Sequence, residues 1–384
     1  MITVVEINEL DRLTEFRFAW RKLWTQTKNA SFFSSYDWLK SYMTRFGDGQ
    51  ALRVMVVLEN RQPIGIVPFV VKETASQLGP ITALSYPTEN CGSFYGPIGP
   101  EPGKTLEAAL RHVAQTDRAW DMIDLGRVAL GHAANQTAAA MLSAGFESHQ
   151  SHCHDVSYVE ISSNWDTYLA SLPMDWTDQY FAAEDRLADE GDVSFVRYRP
   201  LGSWHGDTLR RRRMLSSLEL LRITQRNGSQ SESGQAPAWN RLEFMRDIHG
   251  SAIDAAVAEV NLLKVNNRVI AGAYAFQREG AIEVVDLAFA PNLGELTPHV
   301  LFGRMLRDSF ERRDTQFYLP RQCESQLGWR NRSTNTVRYT YFADPRQQAR
   351  LLGFKQRLWR WAADKSQPPK TGTTQPVRET ALAG

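Results

Sequence analysis

The chain has 384 residues, of which 42% are hydrophobic and 23% charged, and its formal net charge is +1. This length favours two domains of ordinary size, and the near-neutral charge argues against a dedicated nucleic-acid-binding protein, which usually carries a strong basic surplus. Three cysteines stand far apart without a Cys-x-x-Cys pair, so no disulfide framework is expected. The N-terminal stretch MITVVEINELDRL carries acids where a signal peptide needs a basic region, and no apolar run approaches the roughly 18 residues of a membrane helix. We therefore expect a soluble, cytoplasmic protein without a membrane span.

The first half of the sequence predicts alternating strands and helices. Residues 2–7 predict a strand, and the apolar positions within 10–24 follow a helical stripe. A second helix with Ser34 or Ser35 at its N-cap precedes a hairpin over residues 52–72. The stretches ITALSYP, TLEAALRHVAQ, WDMIDLGRV, QTAAAMLSAGF and DVSYVEI then predict strand, helix, strand, helix and strand, and the glycine-proline loop GSFYGPIGP precedes the first of these helices.

The second half predicts a similar series. WDTYLASL and QYFAAEDRLADEG predict helices, and DVSFVRYRP predicts a strand. Two helices over roughly 207–225 and 239–258 precede a second hairpin over 260–278. AIEVVDLAFAP, TPHVLFGRMLRDSFERR, TQFYLP and TNTVRYTYFA then predict strand, helix, strand and strand, and a further helix follows Ala343.

One hairpin pattern occurs twice, half the chain apart. In both copies Asn-Arg is followed by glycine four residues later and by phenylalanine after four more. The matched pairs are Asn60 and Asn267, Arg61 and Arg268, Gly65 and Gly272, and Phe69 and Phe276. The order of predicted elements around the two hairpins also matches. The sequence therefore predicts a mixed α/β fold with two tandem copies of one domain, over 1–160 and 161–362, and a disordered tail over 363–384.

The elements around each hairpin resemble the core of the GNAT acyltransferase fold, in which a strand, a helix that begins at its end and a splayed strand follow one another. The sequence resembles in particular the double-GNAT proteins of the CelD-like branch, which are linked to cellulose and exopolysaccharide biosynthesis. FFSSYDWLKSYMTRFG is similar to the opening of that family, WDTYLASL followed by RLADEGDVSFV to its central helix and strand, and LLKVNNRVIAGAYAFQREGAIEVVDLAFAPNLGELTP to its catalytic hairpin and strand. The resemblance implies two tandem GNAT-like acyl-CoA N-acyltransferase domains, the second of them active, and an acyl-CoA-dependent N- or O-acyltransferase. Acetyl-CoA or another acyl-CoA would be the co-substrate, a saccharide precursor or an amino compound the acceptor, and exopolysaccharide synthesis proteins possible associates.

The resemblance places the acyl-CoA site after the second hairpin. The strand over residues 281–290 would run beside the pantetheine arm, and the amides of the following helix would hold the pyrophosphate. The implied cofactor-binding residues are Leu287, Ala288, Phe289, Thr297, Pro298, His299, Val300 and Leu301. The residues themselves suit an anion, because Thr297 is a good N-cap, Pro298 fits the first helical position, and free amides and the helix dipole favour phosphate. A well-capped helix without a ligand is the alternative, and His299 stands where the family has glycine.

Direct acyl transfer needs a base for the acceptor's proton and a group that stabilises the leaving thiolate. Glu283 and Asp286 lie in the strand at the expected cleft, and their odd spacing predicts that they face opposite sides. Asp286 is the predicted base and Tyr318, on the following strand, the predicted acid. The alternatives are a carboxylate that faces solvent or pairs with an arginine, and a tyrosine that belongs to the core.

The stretch ESQLGWRNRS departs from the family, which has Tyr-Lys where this chain has Trp329-Arg330. The resemblance implies that Trp329 and Arg330 shape the acceptor pocket, although an indole has no proton to give a thiolate. In HQSHCHD, residues 149–155, adjacent side chains of a strand point to opposite faces, so no metal site is predicted. The run RRRR, residues 210–213, predicts a solvated helix face or a contact with an acidic acceptor or a coenzyme A phosphate.

Two further functions stay open. A Fem-like aminoacyl transferase also pairs two such domains and would use aminoacyl-tRNA, against which the near-neutral charge speaks. A non-catalytic partner of an exopolysaccharide assembly would keep the fold without the chemistry, as the departures at His299 and Trp329 allow.

Overall fold

The computed structural model of the chain describes residues 1–76, 79–88, 92–200, 208–228, 238–290, 296–320 and 328–344. The predicted helix after Ala343 and the predicted tail over 363–384 lie outside these residues, apart from the first positions after Ala343.

The elements of the first half follow the predicted order. They are β1 (Ile2–Ile7), α1 (Arg17–Gln26), α2 (Tyr36–Phe46), β2 (Gln50–Glu59), β3 (Gln62–Ser76), β4 (Gly79–Ser85), α3 (Pro102–Gln115), β5 (Met122–Ala129), α4 (His132–Ser143) and β6 (His149–Glu160). The predicted N-cap of α2 is confirmed as Ser35, whose Oγ accepts a hydrogen bond from the amide of Trp38 at 3.1 Å.

After two additional helices the second half repeats this order as far as β11, and in the described residues no helix corresponds to α4 before its last strand. Its elements are α5 (Trp165–Ala170), α6 (Met174–Asp189), β7 (Val193–Tyr198), α7 (Thr208–Gly228), α8 (Ala238–Asp254), β8 (Ala258–Val265), β9 (Arg268–Arg278), β10 (Ala281–Phe289), α9 (Leu296–Arg312), β11 (Gln316–Tyr318) and β12 (Arg332–Phe342). None of the helices in the described part of the chain is long and apolar enough to cross a membrane.

All strands join one 12-stranded sheet in the order β1-β2-β3-β4-β5-β12-β6-β11-β10-β9-β8-β7. From each edge of the sheet toward its centre, three antiparallel strand pairs are followed by one parallel pair. The parallel pair is β4 with β5 on one side and β10 with β11 on the other. The two halves are therefore related by a pseudo-two-fold axis between β6 and β12, which pair antiparallel at the centre. The last strand of each half is exchanged, because β6 pairs with β11 and β12 pairs with β5.

The two hairpins have the same geometry but not the predicted residue match. Both turns consist of two residues at positive φ, namely Asn60 and Arg61 in the first and Asn266 and Asn267 in the second. The register of a hairpin is fixed by its turn, so Asn60 corresponds to Asn266 and not to Asn267. The repeated hairpin is confirmed as a shape, whereas the predicted pairs are one residue out of register.

Helices cover both faces of the second half of the sheet. α7 packs on β8, β9 and β10 and α8 packs against α2, over a core that includes Tyr274 and Phe276. α9 packs with α5 and α6 over the other face, on a core that includes Ala273 and Ala275. Alternate residues of β9 thus enter different cores, as the two-residue period of a strand requires. The Tyr274 and Phe276 face is the one that meets the aromatic residues of the first half.

Candidate active site

The parallel strands β10 and β11 separate after a short contact. They pair only at Ala281–Gln316, Ile282–Phe317 and Glu283–Tyr318, while β10 continues beside β9 to Phe289. β4 and β5 also pair over three positions and end at Ser85–Asp124. There the gap is partly filled by the chain itself, since Ile98 bridges to Ile66 of β3 beyond the end of β4.

A β-bulge in β10 decides which side chains face this separation. The register with β9 shifts between Val284 and Asp286, so Glu283 lies opposite Phe276 and Asp286 opposite Tyr274. Directly paired residues point to the same face, and Tyr274 and Phe276 are two residues apart. Glu283 and Asp286 therefore face the same side of the sheet. The prediction of opposite faces was wrong because the bulge inserts one residue into the alternation.

Glu283 lies at the point where β10 and β11 part. Its Oε1 accepts hydrogen bonds from the amide of Ser93 at 2.5 Å and from the Ser93 hydroxyl at 2.7 Å. Within the described part of the chain, no group donates a hydrogen bond to Oε2. Burial raises the pKa of Glu283, and the Ser93 hydrogen bonds and the Arg127 charge oppose this rise. The residue is thus a partly buried carboxylate with one oxygen held by Ser93 and the other without a donor in the described residues.

Tyr318, the predicted acid, lies directly beside Glu283. Its hydroxyl donates to Gln316 Oε1 at 2.7 Å, and its ring contacts Phe94 edge-on at 5.7 Å and Tyr158 at 5.6 Å between centroids. Burial, followed by the negative charge of Glu283 and the Tyr158 phenol, raises the pKa of Tyr318. The phenol therefore stays protonated at neutral pH and can donate a hydrogen bond.

Asp286, the predicted base, is buried and paired with an arginine of α7. Arg222 Nε donates to Asp286 Oδ2 at 2.6 Å, and the Arg222 Nη2 contacts Oδ1. This is the ion pair that the sequence left open as an alternative. Both oxygens of Asp286 face a guanidinium, whereas Glu283 keeps one oxygen without a donor, so the structure favours Glu283 over Asp286 as a base.

The predicted N-cap at Thr297 and first helical position at Pro298 were wrong by two residues, because α9 begins at Leu296. Thr297 and Pro298 lie inside the first turn, where a proline is tolerated because no intrahelical acceptor is lost with its missing N–H. Thr297, Val300 and Leu301 are buried. The imidazole of His299 packs edge-on against Trp176 of α6, with 4.6 Å between ring centroids.

Trp329 does not line a pocket. Its side chain is fully buried and contacts the rings of Trp165, Trp176 and Tyr180 at 5.2–6.3 Å between centroids. The substrate-binding prediction therefore does not fit Trp329, because its indole belongs to the core under α5 and α6. Arg330, the next residue, is exposed.

Residues of the first half complete the site. Ser93 and Phe94 come from the glycine-proline loop, and Arg127 comes from β5. No spacing in the sequence indicated these residues, since their contact with Glu283 spans about 150–190 positions and depends on how the halves meet. In the described residues no three metal-binding side chains lie together. The run 210–213 falls within α7, but its side chains lie outside the described part.

Comparisons with known proteins give a structural likeness only. No family model matches the sequence, and no curated protein matches it. FemX is similar with a TM-score of 0.56 and 11% identity, over 90% of this chain and 98% of that chain. L-PGS from Bacillus licheniformis is similar with a TM-score of 0.51 and 11% identity, over 88% and 93%. A conserved protein of unknown function from Bacteroides thetaiotaomicron has a TM-score of 0.51 and 12% identity, over 89% and 100%.

At these identities the likeness concerns the fold. The predicted architecture is confirmed: a mixed α/β fold in which two tandem halves share one sheet topology. The domain boundaries at 160 and 362 stay predictions.

Proposed function

We propose that the protein is an acyltransferase that moves an acyl group from a coenzyme A thioester to an amine or hydroxyl. The observation that supports it best is the partly buried carboxylate of Glu283, which is held by Ser93 and lies beside the phenol of Tyr318 where β10 and β11 separate. Beyond Glu283 and Tyr318 the two parallel strands no longer pair with each other, and we place the ligand where they separate.

In this proposal Glu283 takes a proton from the acceptor as its nitrogen or oxygen attacks the thioester carbonyl. The new bond to the acyl carbon forms, the carbon–sulfur bond breaks, and the thiolate leaves and takes up a proton. A pKa raised by burial makes the Glu283 carboxylate a stronger base than an exposed carboxylate, which suits proton transfer from the acceptor. Tyr318, whose single hydroxyl proton bonds Gln316 Oε1 in the structure, would turn this proton toward the negative charge that develops on oxygen or sulfur.

The donor is placed along β10 and the start of α9. Leu287, Ala288 and Phe289 continue β10 beyond its contact with β11, so they would lie beside the pantetheine arm. The pyrophosphate is proposed at the N-terminus of α9, which begins at Leu296, follows β10 in the chain and favours an anion through its helix dipole. The predicted amides of residues 298–301 do not fit as a set, because Pro298 has no N–H and the amides of Val300 and Leu301 bond within the helix. His299 is compatible with this placement, because its ring contacts Trp176 of α6.

The acceptor is proposed from the resemblance of the sequence. The CelD-like motifs favour a saccharide precursor or an amino compound, in the context of exopolysaccharide synthesis. Arg330 is exposed and keeps its proposed role in acceptor binding.

A second candidate is a Fem-like transferase that takes its acyl group from aminoacyl-tRNA. The supporting observation is that FemX and L-PGS share the fold over nearly the whole chain. The net charge of +1 speaks against a large nucleic-acid substrate.

The first test is binding. A ligand that binds only the folded state raises stability, by about 2.7 kcal/mol when its concentration is a hundred times Kd. Thermal unfolding is measured with acetyl-CoA, octanoyl-CoA and charged lysyl-tRNA. Stabilisation by an acyl-CoA supports the proposal, and stabilisation by lysyl-tRNA alone supports the second candidate.

The second test compares two carboxylates with the donor that binds. Thiol release is followed with glucosamine and a panel of amino acids as acceptors. Glu283→Gln should lower turnover about 10²- to 10⁴-fold, because it removes the base. Asp286→Asn should mainly lower stability, because Arg222 loses a buried charge partner. Full turnover by a folded Glu283→Gln variant contradicts the assignment, and a selective loss in Asp286→Asn returns the base to Asp286. A protein that binds no donor is a non-catalytic member of the fold.

A further inference from the structure

The loop of residues 92–96 reaches from the first half of the protein into the candidate site of the second half. Two donors of Ser93, its amide and its hydroxyl, bind the same oxygen of Glu283. The next residue, Phe94, packs edge-on against Tyr318. Consecutive loop residues thus contact both groups that the proposed mechanism uses.

The conformation of this loop is held by the first half. Gly92 has φ of +73°, and a Cβ there would lie 2.8 Å from the ring of Phe33, so only glycine fits. The amide of Tyr95 donates to the carbonyl of Arg127 at 3.0 Å, and its ring stacks on Tyr86 at 6.3 Å between centroids. Ser93 is therefore placed by fixed neighbours on both sides.

Arg127 binds the same loop from an irregularity in β5. The register with β12 shifts there, so that β5 carries one residue more than its partner, and Arg127 has φ of +59°. A left-handed conformation at a residue other than glycine costs of order 1 kcal/mol and persists only where the surroundings impose it. The buried guanidinium donates to the carbonyl of Gly92 and acts electrostatically on Glu283.

We infer that Ser93 and Arg127 are positioning residues of Glu283, so that one active site is built from both halves of the protein. The inference rests on the proposed function for the role of Glu283, but the contacts themselves do not. The first half would then contribute residues to the site of the second half. Its own gap between β4 and β5 is partly occupied by Ile98.

The other charged and titratable groups near Glu283 are few in the described part of the chain. Tyr318 lies beside it on β11, with Tyr158 of β6 behind. Asp286 lies farther along the same face and is paired with Arg222. Ser93 and Arg127 are therefore the groups in this surrounding that favour the ionised form of Glu283, which burial disfavours.

The test follows the ionisation of Glu283 directly. Protein labelled with ¹³C at the glutamate carboxyl is titrated by NMR, and the Glu283 signal is identified by its absence in Glu283→Gln. In Ser93→Ala the carboxyl should titrate at higher pH than in the wild type, because a donor to the carboxylate is lost. Ser93→Thr keeps the hydroxyl and should return the titration toward the wild-type value. Ser143→Ala, which removes an exposed hydroxyl that bonds Arg111 and Glu107, is the matched control and should leave the Glu283 titration unchanged.

Kinetics supply the second readout. In Ser93→Ala the acidic limb of the pH–rate profile should move to higher pH, and turnover should fall by up to about 10²-fold, with KM for the acyl-CoA unchanged. Arg127→Met should move the titration in the same direction, and Arg127→Lys, which keeps the charge, should move it less.

A Glu283 titration that is unchanged in folded Ser93→Ala and Arg127→Met overturns the inference, whatever the activity. A moved titration in a protein whose Glu283→Gln variant is fully active supports the positioning role and rejects Glu283 as the catalytic base. Failure of the positioning role and failure of Glu283 as the base are thus distinguishable.

Discussion

Phe276→Ala removes one ring of the second half that packs on aromatic residues of the first half. The Phe276 centroid lies 4.6 Å from Phe32, 5.5 Å from Phe33 and 6.2 Å from Trp38, and the side chain is 4% exposed. Truncation of a buried phenylalanine costs about 3–5 kcal/mol, since lost transfer energy and a cavity add. Aromatic pairs contribute about 0.5–1.5 kcal/mol each beyond burial. The three contacts put the expected loss at the upper end, about 4–5 kcal/mol.

Urea unfolding followed by tryptophan fluorescence and circular dichroism measures this loss. The midpoint should fall without a change in the slope of the free energy against urea, and both probes should report one transition. Phe181→Ala is the matched control, because that ring is 51% exposed on α6, and its effect should stay within about 0.5 kcal/mol. A loss below about 1.5 kcal/mol for Phe276→Ala, or two separate transitions, would refute the reasoning that this ring joins the halves into one cooperative unit.

Two further predictions concern stability. Glu6→Gln should cost up to about 3 kcal/mol at neutral pH, because the nearly buried Arg53 loses the carboxylate that binds its Nε at 2.7 Å and its Nη2 at 2.9 Å. Burial acts to raise the pKa of Glu6, but the hydrogen bonds and charges of Arg53 and His112 lower it overall. The stabilisation by the Glu6 carboxylate is full above about pH 4.5 and is lost as the pH falls through the lowered pKa of Glu6. The urea midpoints of wild type and Glu6→Gln should therefore converge in strong acid. A difference between the two midpoints that stays constant with pH would contradict the ion pair. Arg61→Gly should raise the free energy of unfolding by about 0.5–1 kcal/mol, because Arg61 has a positive φ in a two-residue turn. Asn267→Gly should raise it by less, because asparagine tolerates positive φ better. A lower free energy of unfolding in Arg61→Gly would contradict the turn geometry.

The order of elements was predictable because it depends on local patterns. Hairpins, amphipathic helices and the Ser35 cap depend on residues that are close together in the chain, and most of the predicted elements agree in position with the structure. The residue match between the hairpins was misleading, because four identical letters cannot reveal which residue occupies the turn. The turn geometry places Asn60 with Asn266.

The site was less predictable because it depends on irregular and distant features. A single bulged residue reversed the expected relation of Glu283 to Asp286, and a bulge leaves no consistent mark in composition. In the sequence Trp329 stands where the resembling family has a functional tyrosine, and only the packing of α5 and α6 shows that its indole is buried. Ser93 meets Glu283 only after both halves have folded, so no local pattern could have named it.

The exchange of the last strands also sets the order in which the protein can be completed during synthesis. β5 ends at Ala129, but its outer neighbour β12 begins only at Arg332, about 200 residues later. At the usual 5–20 residues per second, the ribosome needs roughly 10–40 s to supply that strand. During this interval the newly made first half presents β5 as an unpaired edge, the kind of surface that invites pairing with another chain. The nascent protein therefore depends on its own C-terminal residues, or on a chaperone that covers β5 until they emerge, to avoid joining its neighbours on the same polysome.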